Sequence, residues 1–298
     1  MKLMDLKASG YDIRTGMPLS EVTFTKTGGP AEYTAFPRSI AEVKQLLEAA
    51  NADGLPLTVI GNASNLIIKD GGIAGLVMIL TNLNEIKLSG NTVIAQAGAK
   101  IVDAAFYGAE HGLSGLEFAA GIPGSVGGGV FMNAGAYGGE VKDCLASATV
   151  LTRKGEVKTY SNQEMQFAYR HSYVQESGDI VLSATFELKP GDKLAILDQM
   201  HYLNALRQYK QPLEYPSCGS VFKRPTGHYV GPMIIKAGLQ GKQIGGAQDS
   251  TKHAGFIVNK GGATATDYLN LIHLIQKTIK EKYDIDLKTE VRIIGKDQ

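Results

Sequence analysis

The chain has 298 residues, 44% of them hydrophobic, a formal net charge of +1 and no acidic or basic block. That length points to two or three domains rather than one, and the charge balance argues against a nucleic-acid or membrane surface as the main partner. The two cysteines, Cys144 and Cys218, lack metal-ligand spacing and read as buried free thiols of a reducing compartment, so no metal is expected. Residues 1–10 carry charges but no apolar signal core, and no run is long enough to span a membrane, so a cytoplasmic location is expected.

In chain order, 26–30 is a turn before a strand at 33–36 that Pro37 ends. Ser39 and Glu42 have the spacing of a capping box and predict a helix from Ile40 to about Asn51. Ile40, Val43, Leu46, Leu47 and Ala50 fall on one face of it. Gly54-Leu55-Pro56 leads into a strand at 57–60 and then into the polar turn Gly61-Asn62-Ala63-Ser64-Asn65-Leu66. Asn and Ser bond nearby backbone and tolerate unusual dihedrals there. Strands follow at 75–80 and 92–97, and a helix at 101–111 with Gly112 as its stop.

The stretch 121–139 holds eight glycines in nineteen residues. Each adds backbone entropy that folding must remove, which is tolerated where backbone must lie close to something else. Pro123 suits the first turn of a helix and Ser125 offers its hydroxyl there. Free N–H groups at such a start make a seat for phosphate. Two such turns, at 61–65 and 121–129, point to a diphosphate held from two sides, hence a nucleotide cofactor. Neither Gly-x-x-x-x-Gly-Lys-Ser/Thr nor a helix-opening Gly-x-Gly-x-x-Gly occurs, which disfavours an ATPase or a Rossmann site.

Beyond it, 146–152 and 156–160 read as a hairpin about Lys154-Gly155, and 180–188 as a half-buried strand. Lys189-Pro190-Gly191-Asp192 is the strongest boundary signal. An amphipathic helix at 193–209, capped by Asp192, is followed by a loop bearing Pro212, Pro216 and Pro225. A short helix at 232–239, a strand at 255–259, a helix at 266–283 and a strand at 288–294 complete the chain. Helices and strands alternate too irregularly for one doubly wound sheet. The fold class expected is α+β with a break near 190–205.

Several polar residues have two readings. Arg170, in Tyr169-Arg170-His171-Ser172, is a planar cation suited to carboxylate or phosphate, or a surface arginine. Ser220, in Cys218-Gly219-Ser220, presents a hydroxyl to a ligand or bonds its own turn; no acid–base partner is adjacent. Glu290, expected on the last strand with Arg292 on its face, is a buried acid or half of a surface pair. Lys210 and His253 are equally open.

Six segments in order carry a resemblance. They are 61–65, 120–128, 133–138, Tyr169-Arg170-x-Ser172, Gly219-Ser220-x-Phe222-x-x-Pro225 and Glu290-Val291-Arg292-x-Ile294-Gly295. With them the chain resembles the UDP-N-acetylenolpyruvoylglucosamine reductase (UDP-N-acetylmuramate dehydrogenase) family from about Thr25 to Gly295. The resemblance implies an FAD-binding domain of the vanillyl-alcohol-oxidase/p-cresol-methylhydroxylase type at 1–200, with subdomains at about 20–80 and 81–190. It also implies an α+β substrate domain at 201–298.

It implies bound FAD, contacted by Gly61, Asn62, Ala63, Ser64, Asn65, Leu66, Gly121, Ile122, Pro123, Gly124, Ser125, Gly127, Gly128, Asn133, Gly135, Tyr137 and Val181. NADPH is the implied co-substrate, and a UDP-sugar the implied substrate, met by Tyr169, Lys210, Arg224 and His253. Arg170 and Glu290 would stabilise the charge that develops beside the reduced carbon, and Ser220 would deliver the closing proton. The chain resembles the shorter form of the family, without an extra tyrosine loop. Ala63 stands where the family commonly has glycine and must accept a negative φ or some strain. Another FAD-dependent oxidase of the same fold is the alternative activity. A monomer is expected.

Overall fold

The computed structural model describes residues 2–297, and the chain divides into two compact units. The first comprises residues 1–15, 33–62 and 75–207; the second comprises 16–32, 63–74 and 208–298. This division differs from the expected 1–200 and 201–298 because two short early segments group with the C-terminal residues. Their backbone is consumed there. The Lys69 N–H donates to the Ile294 carbonyl, and the Asn259 amide to the Thr25 carbonyl at 3.0 Å.

A four-stranded sheet, most of whose residues belong to the first unit, runs in the order Ile13–Thr15, Ala31–Ala35, Ile73–Ile79, Leu57–Ile60. The helix Ile40–Ala52 precedes its parallel strand Leu57–Ile60. Ser39 Oγ accepts from the Glu42 N–H, as the capping pattern requires. Val43, Leu46, Leu47 and Ala50 are buried, whereas Ile40, at the solvent end of the apolar stripe, is exposed. A five-stranded antiparallel sheet follows, in the order Val157–Ser161, Leu145–Leu151, Ile180–Glu187, Thr92–Gln96, Ile86–Ser89. The helices Ile101–Glu110 and Val126–Met132 share its core with Val93, Ala95, Val150 and Phe186. Asp192 caps the helix Lys193–Lys210 through the Leu194 N–H, as expected.

The second unit has a four-stranded antiparallel sheet in the order Ser217–Ser220, Phe256–Asn259, Ala247–Asp249, Gln243–Ile244. The helices Val230–Lys236 and Ala265–Tyr283 pack with it around Tyr268, Leu271, Ile272 and Ile275. A parallel pair, Leu66–Ile68 with Arg292–Ile294, joins the two ends of the sequence.

Two expectations change here. The last strand is shorter than 288–294, and Glu290 lies on a bend before it, because the Glu290 and Val291 amides both turn toward the Val221 carbonyl. Ser220 ends a strand rather than sitting on an open loop, since residues 217–220 pair with Phe256–Asn259.

Candidate active site

In the first unit Ser125 is the N-cap of Val126–Met132, and its Oγ accepts from the Gly128 N–H at 3.3 Å. Pro123 precedes this cap instead of occupying the first turn, because Ser125 takes the extended conformation that a cap needs (φ −84°, ψ 160°). The amides of Val126 and Gly127 donate to Ala99 and Ala97 carbonyls, both at 2.8 Å. The helix start therefore has no spare donors in its first turn, and the expected phosphate seat there is corrected.

The spare donors lie just before it: among the described residues the Gly121 and Gly124 amides meet no protein acceptor. The Gly61 turn is held against this loop. The Asn62 amide group donates to the Pro123 carbonyl at 2.6 Å, and a methyl on Gly61 would collide with Ser125 Oγ. A methyl on Gly121 would meet Asn204 Oδ1 at 2.6 Å and Arg207 Cδ at 2.8 Å.

Arg207 was not among the residues singled out in the sequence. It is half-buried beside the Gly121 loop, and among the described residues no carboxylate pairs with it. Burial lowers its pKa, with nearby Tyr137 opposing. A cation drawn out of water without a counter-charge, next to unspent backbone donors and glycines with no side chain to block approach, fits the diphosphate of a dinucleotide. Its signal was hidden because an arginine on a long polar helix reads as solvated.

Arg170 lies in the left-handed region (φ 55°), and its Nη2 donates to the Gly135 carbonyl at 3.1 Å, with the guanidinium 5.0 Å from the Tyr169 ring centre. Asn133 is fully buried, and its side chain is spent on protein: it donates to Glu140 Oε2 and the Ala168 carbonyl and accepts from the Lys142 N–H. Ser172 Oγ likewise donates to the Phe131 carbonyl at 2.7 Å. Val181 is buried in its strand opposite Val150, while Tyr137 is exposed.

Among the described residues, seven non-glycine residues have positive φ, and four of them, Ala63, Asn133, Tyr137 and Arg170, are candidates from the sequence. Strained backbone persists where surrounding structure over-determines it, commonly at functional sites. For Ala63, φ 49° decides the earlier alternative in favour of strain.

In the second unit the Asn65 side-chain amide donates to the Glu290 carbonyl, and the Arg292 N–H to the Asn65 carbonyl. The Val221 carbonyl, next to Ser220, accepts the Glu290 N–H at 2.7 Å. Asn65, Ser220 and Glu290, distant in sequence, thus share one backbone network. Leu66 begins the strand beside Arg292. His253 sits edge-on to Phe256; burial lowers its pKa, and its Nδ1 is buried without a partner. Arg224 stacks on Tyr229, 3.8 Å from the ring centre, and Lys210 stands exposed at its helix end. Among the described residues no cluster of His, Cys, Asp or Glu could hold a metal ion, and no helix is long and apolar enough to cross a membrane.

Comparison with known proteins finds two family matches, one after the other along the chain. Residues 31–161 match the FAD binding domain family, and residues 211–294 match the UDP-N-acetylenolpyruvoylglucosamine reductase C-terminal domain family. The chain is 75% identical over 298 residues to UDP-N-acetylenolpyruvoylglucosamine reductase of Lactobacillus helveticus, covering 100% of both. The crystal structure of the reductase of that name from Thermus caldophilus superposes with a TM-score of 0.82 at 33% identity, over 95% of this chain and 98% of that one. A solvent-stable cholesterol oxidase shares the fold alone, at a TM-score of 0.50 and 16% identity, over 61% of this chain and 38% of that one.

The FAD binding domain match and the named relatives make this chain an FAD-dependent oxidoreductase, and part of its fold is shared with a cholesterol oxidase. Within that class, the chain belongs to the UDP-N-acetylenolpyruvoylglucosamine reductase family.

Proposed function

We propose that this protein reduces the enolpyruvyl ether of UDP-N-acetylglucosamine enolpyruvate to UDP-N-acetylmuramate, with NADPH as donor, in peptidoglycan precursor synthesis. The full-length, 75% identity to a reductase of that name carries the reading. FAD, when bound, would supply the hydride-carrying chemistry between NADPH and the vinyl terminus of the ether. The chain's own residues hold the cofactor and manage charge and proton. Gly61, Asn62, Gly121 and Gly124 accept the diphosphate closely, and Arg207 neutralises it.

Hydride addition leaves negative charge on the carbon beside the carboxylate. Preorganised donors stabilise such charge without reorganising. Arg170 suits that task because its contact to the Gly135 carbonyl fixes the planar fork. A bare carboxylate would repel the charge, so Glu290 acts as a proton-bearing group or orients a donor. Ser220 gives the closing proton: a hydroxyl is a weak acid in water, but the carbanion is far more basic. Tyr169, Lys210, Arg224 and His253 meet the UDP-sugar. The first unit carries most of the residues that would hold FAD, Arg207 among them, and the second carries Ser220 and Glu290. The reaction is cytoplasmic, and the chain acts as a monomer.

Ser220→Ala tests the proton role. NADPH should still bleach the flavin at close to the wild-type rate, while reoxidation by substrate falls at least a hundredfold. Equal damage to both half-reactions would remove Ser220 from the proton step.

A further inference from the structure

Asp249 takes no part in the chemistry above, yet it is 0% exposed at the end of the strand Ala247–Asp249. Its Oδ1 accepts the Gly255 N–H at 2.9 Å, and its Oδ2 is buried without a partner. An orphaned carboxyl oxygen in the interior costs stability. An apolar residue such as valine, comparable in size though branched one atom earlier, would carry no such orphaned oxygen, so simple packing does not account for an acid here.

What the carboxyl holds leads to the site. The Gly255 carbonyl accepts the Val221 N–H at 2.9 Å, and the Val221 carbonyl accepts the Glu290 N–H at 2.7 Å. Ser220, the neighbour of Val221, pairs with Phe256, the neighbour of Gly255. One hydrogen-bonded line therefore runs from the Asp249 carboxyl through two residues, Gly255 and Val221, to the neighbours Ser220 and Glu290. The turn between Asp249 and Gly255 is cinched from inside as well. Ser250 Oγ accepts the Lys252 and His253 amides, and the Ser250 N–H donates to the Phe256 carbonyl at 2.8 Å. Gly255 itself has φ 94°, a conformation that glycine adopts without strain and a residue with a side chain rarely does.

We propose that Asp249 is a positioning residue for the proton-delivery step: its carboxyl fixes the Gly255 peptide, which sets Val221 and through it the placement of Ser220 and Glu290. The role belongs to the Oδ1 acceptor rather than to negative charge. Burial pushes the carboxyl up to about 7, the Gly255 N–H pulling it partly back, so the acid is substantially protonated near neutrality. An asparagine, with its carbonyl in the same place, should serve as well. The proposal rests on the reading of Ser220 and Glu290 as the groups that act on the substrate carbon.

The test uses the FAD-loaded protein and follows both half-reactions anaerobically. Asp249→Val removes the acceptor and should slow flavin reoxidation by UDP-N-acetylglucosamine enolpyruvate about tenfold, with reduction by NADPH within twofold of wild type. Asp249→Asn should restore reoxidation to within twofold. Reoxidation unchanged in Asp249→Val, or both half-reactions slowed alike, overturns the proposal. So does an Asp249→Asn protein, folded by its melting temperature, that is slowed tenfold; this arm decides the matter even where the valine variant fails to fold. Ser220→Ala, run beside them, separates the two readings. If it leaves reoxidation unchanged, the role of Ser220 fails and this inference with it. If it is slow while Asp249→Val is fast, only the inference fails.

Discussion

At the scale of single residues, buried polar groups in this protein carry more information than exposed ones. Asp249 offers a stability test that needs no substrate. Its folded-state carboxyl titrates at about 7, against 3.8 unperturbed. Between those values the folded state keeps a proton that the unfolded chain has released. This contribution is therefore full below about pH 4, is lost as pH rises toward 7, and changes no further above it. Roughly three pH units at about 1.4 kcal/mol each set an upper bound of about 4 kcal/mol. The melting temperature of Asp249→Asn should fall less steeply than that of wild type from pH 5 to 8. Parallel curves would contradict the buried acid. Arg207 is informative in the same way, as a cation without a counter-charge beside unspent amides. Neither residue was legible in sequence, because an isolated aspartate or arginine gives no sign of burial until its fold neighbours are known.

Among elements, those with their own end signals were legible. Ser39, Asp192 and Gly112 mark helix ends where the structure has them. The short strands Ser217–Ser220 and Leu66–Ile68 were missed as strands because their pairing partners lie far away in sequence and three or four residues show no periodicity. Glu290 was placed on a strand because its segment alternates, but a bond to Val221 bends it out.

The helix Ala265–Tyr283 shows how such distant segments lock together. Asp70 accepts the Ala265 and Thr266 amides and the Thr266 hydroxyl, and Thr264 Oγ1 accepts the Asp267 amide. All the first-turn donors are thus satisfied, two of them by a carboxylate favourably placed at a helix start. Asp70→Ala should cost about 1–2 kcal/mol and lower the melting temperature by several degrees. A change within error would mean that solvent serves those amides equally well.

For the whole molecule, the class of fold and the chemistry were legible because six spaced motifs recur in order. The assignment of residues 16–32 and 63–74 to the C-terminal unit was not. Contiguous reading favours contiguous domains, and only hydrogen bonds such as Asn259 to Thr25 reveal the regrouping. One consequence is that the turn 61–66 changes unit midway: Asn62 is tied to Pro123, and Asn65 to Glu290.

The most direct measurement reduces the purified protein with NADPH in the absence of oxygen, then adds UDP-N-acetylglucosamine enolpyruvate while flavin absorbance is recorded. The account predicts bleaching by NADPH and rapid recovery of the oxidised spectrum on adding the substrate. Recovery only when oxygen is admitted would contradict it and turn the same fold toward oxidase chemistry.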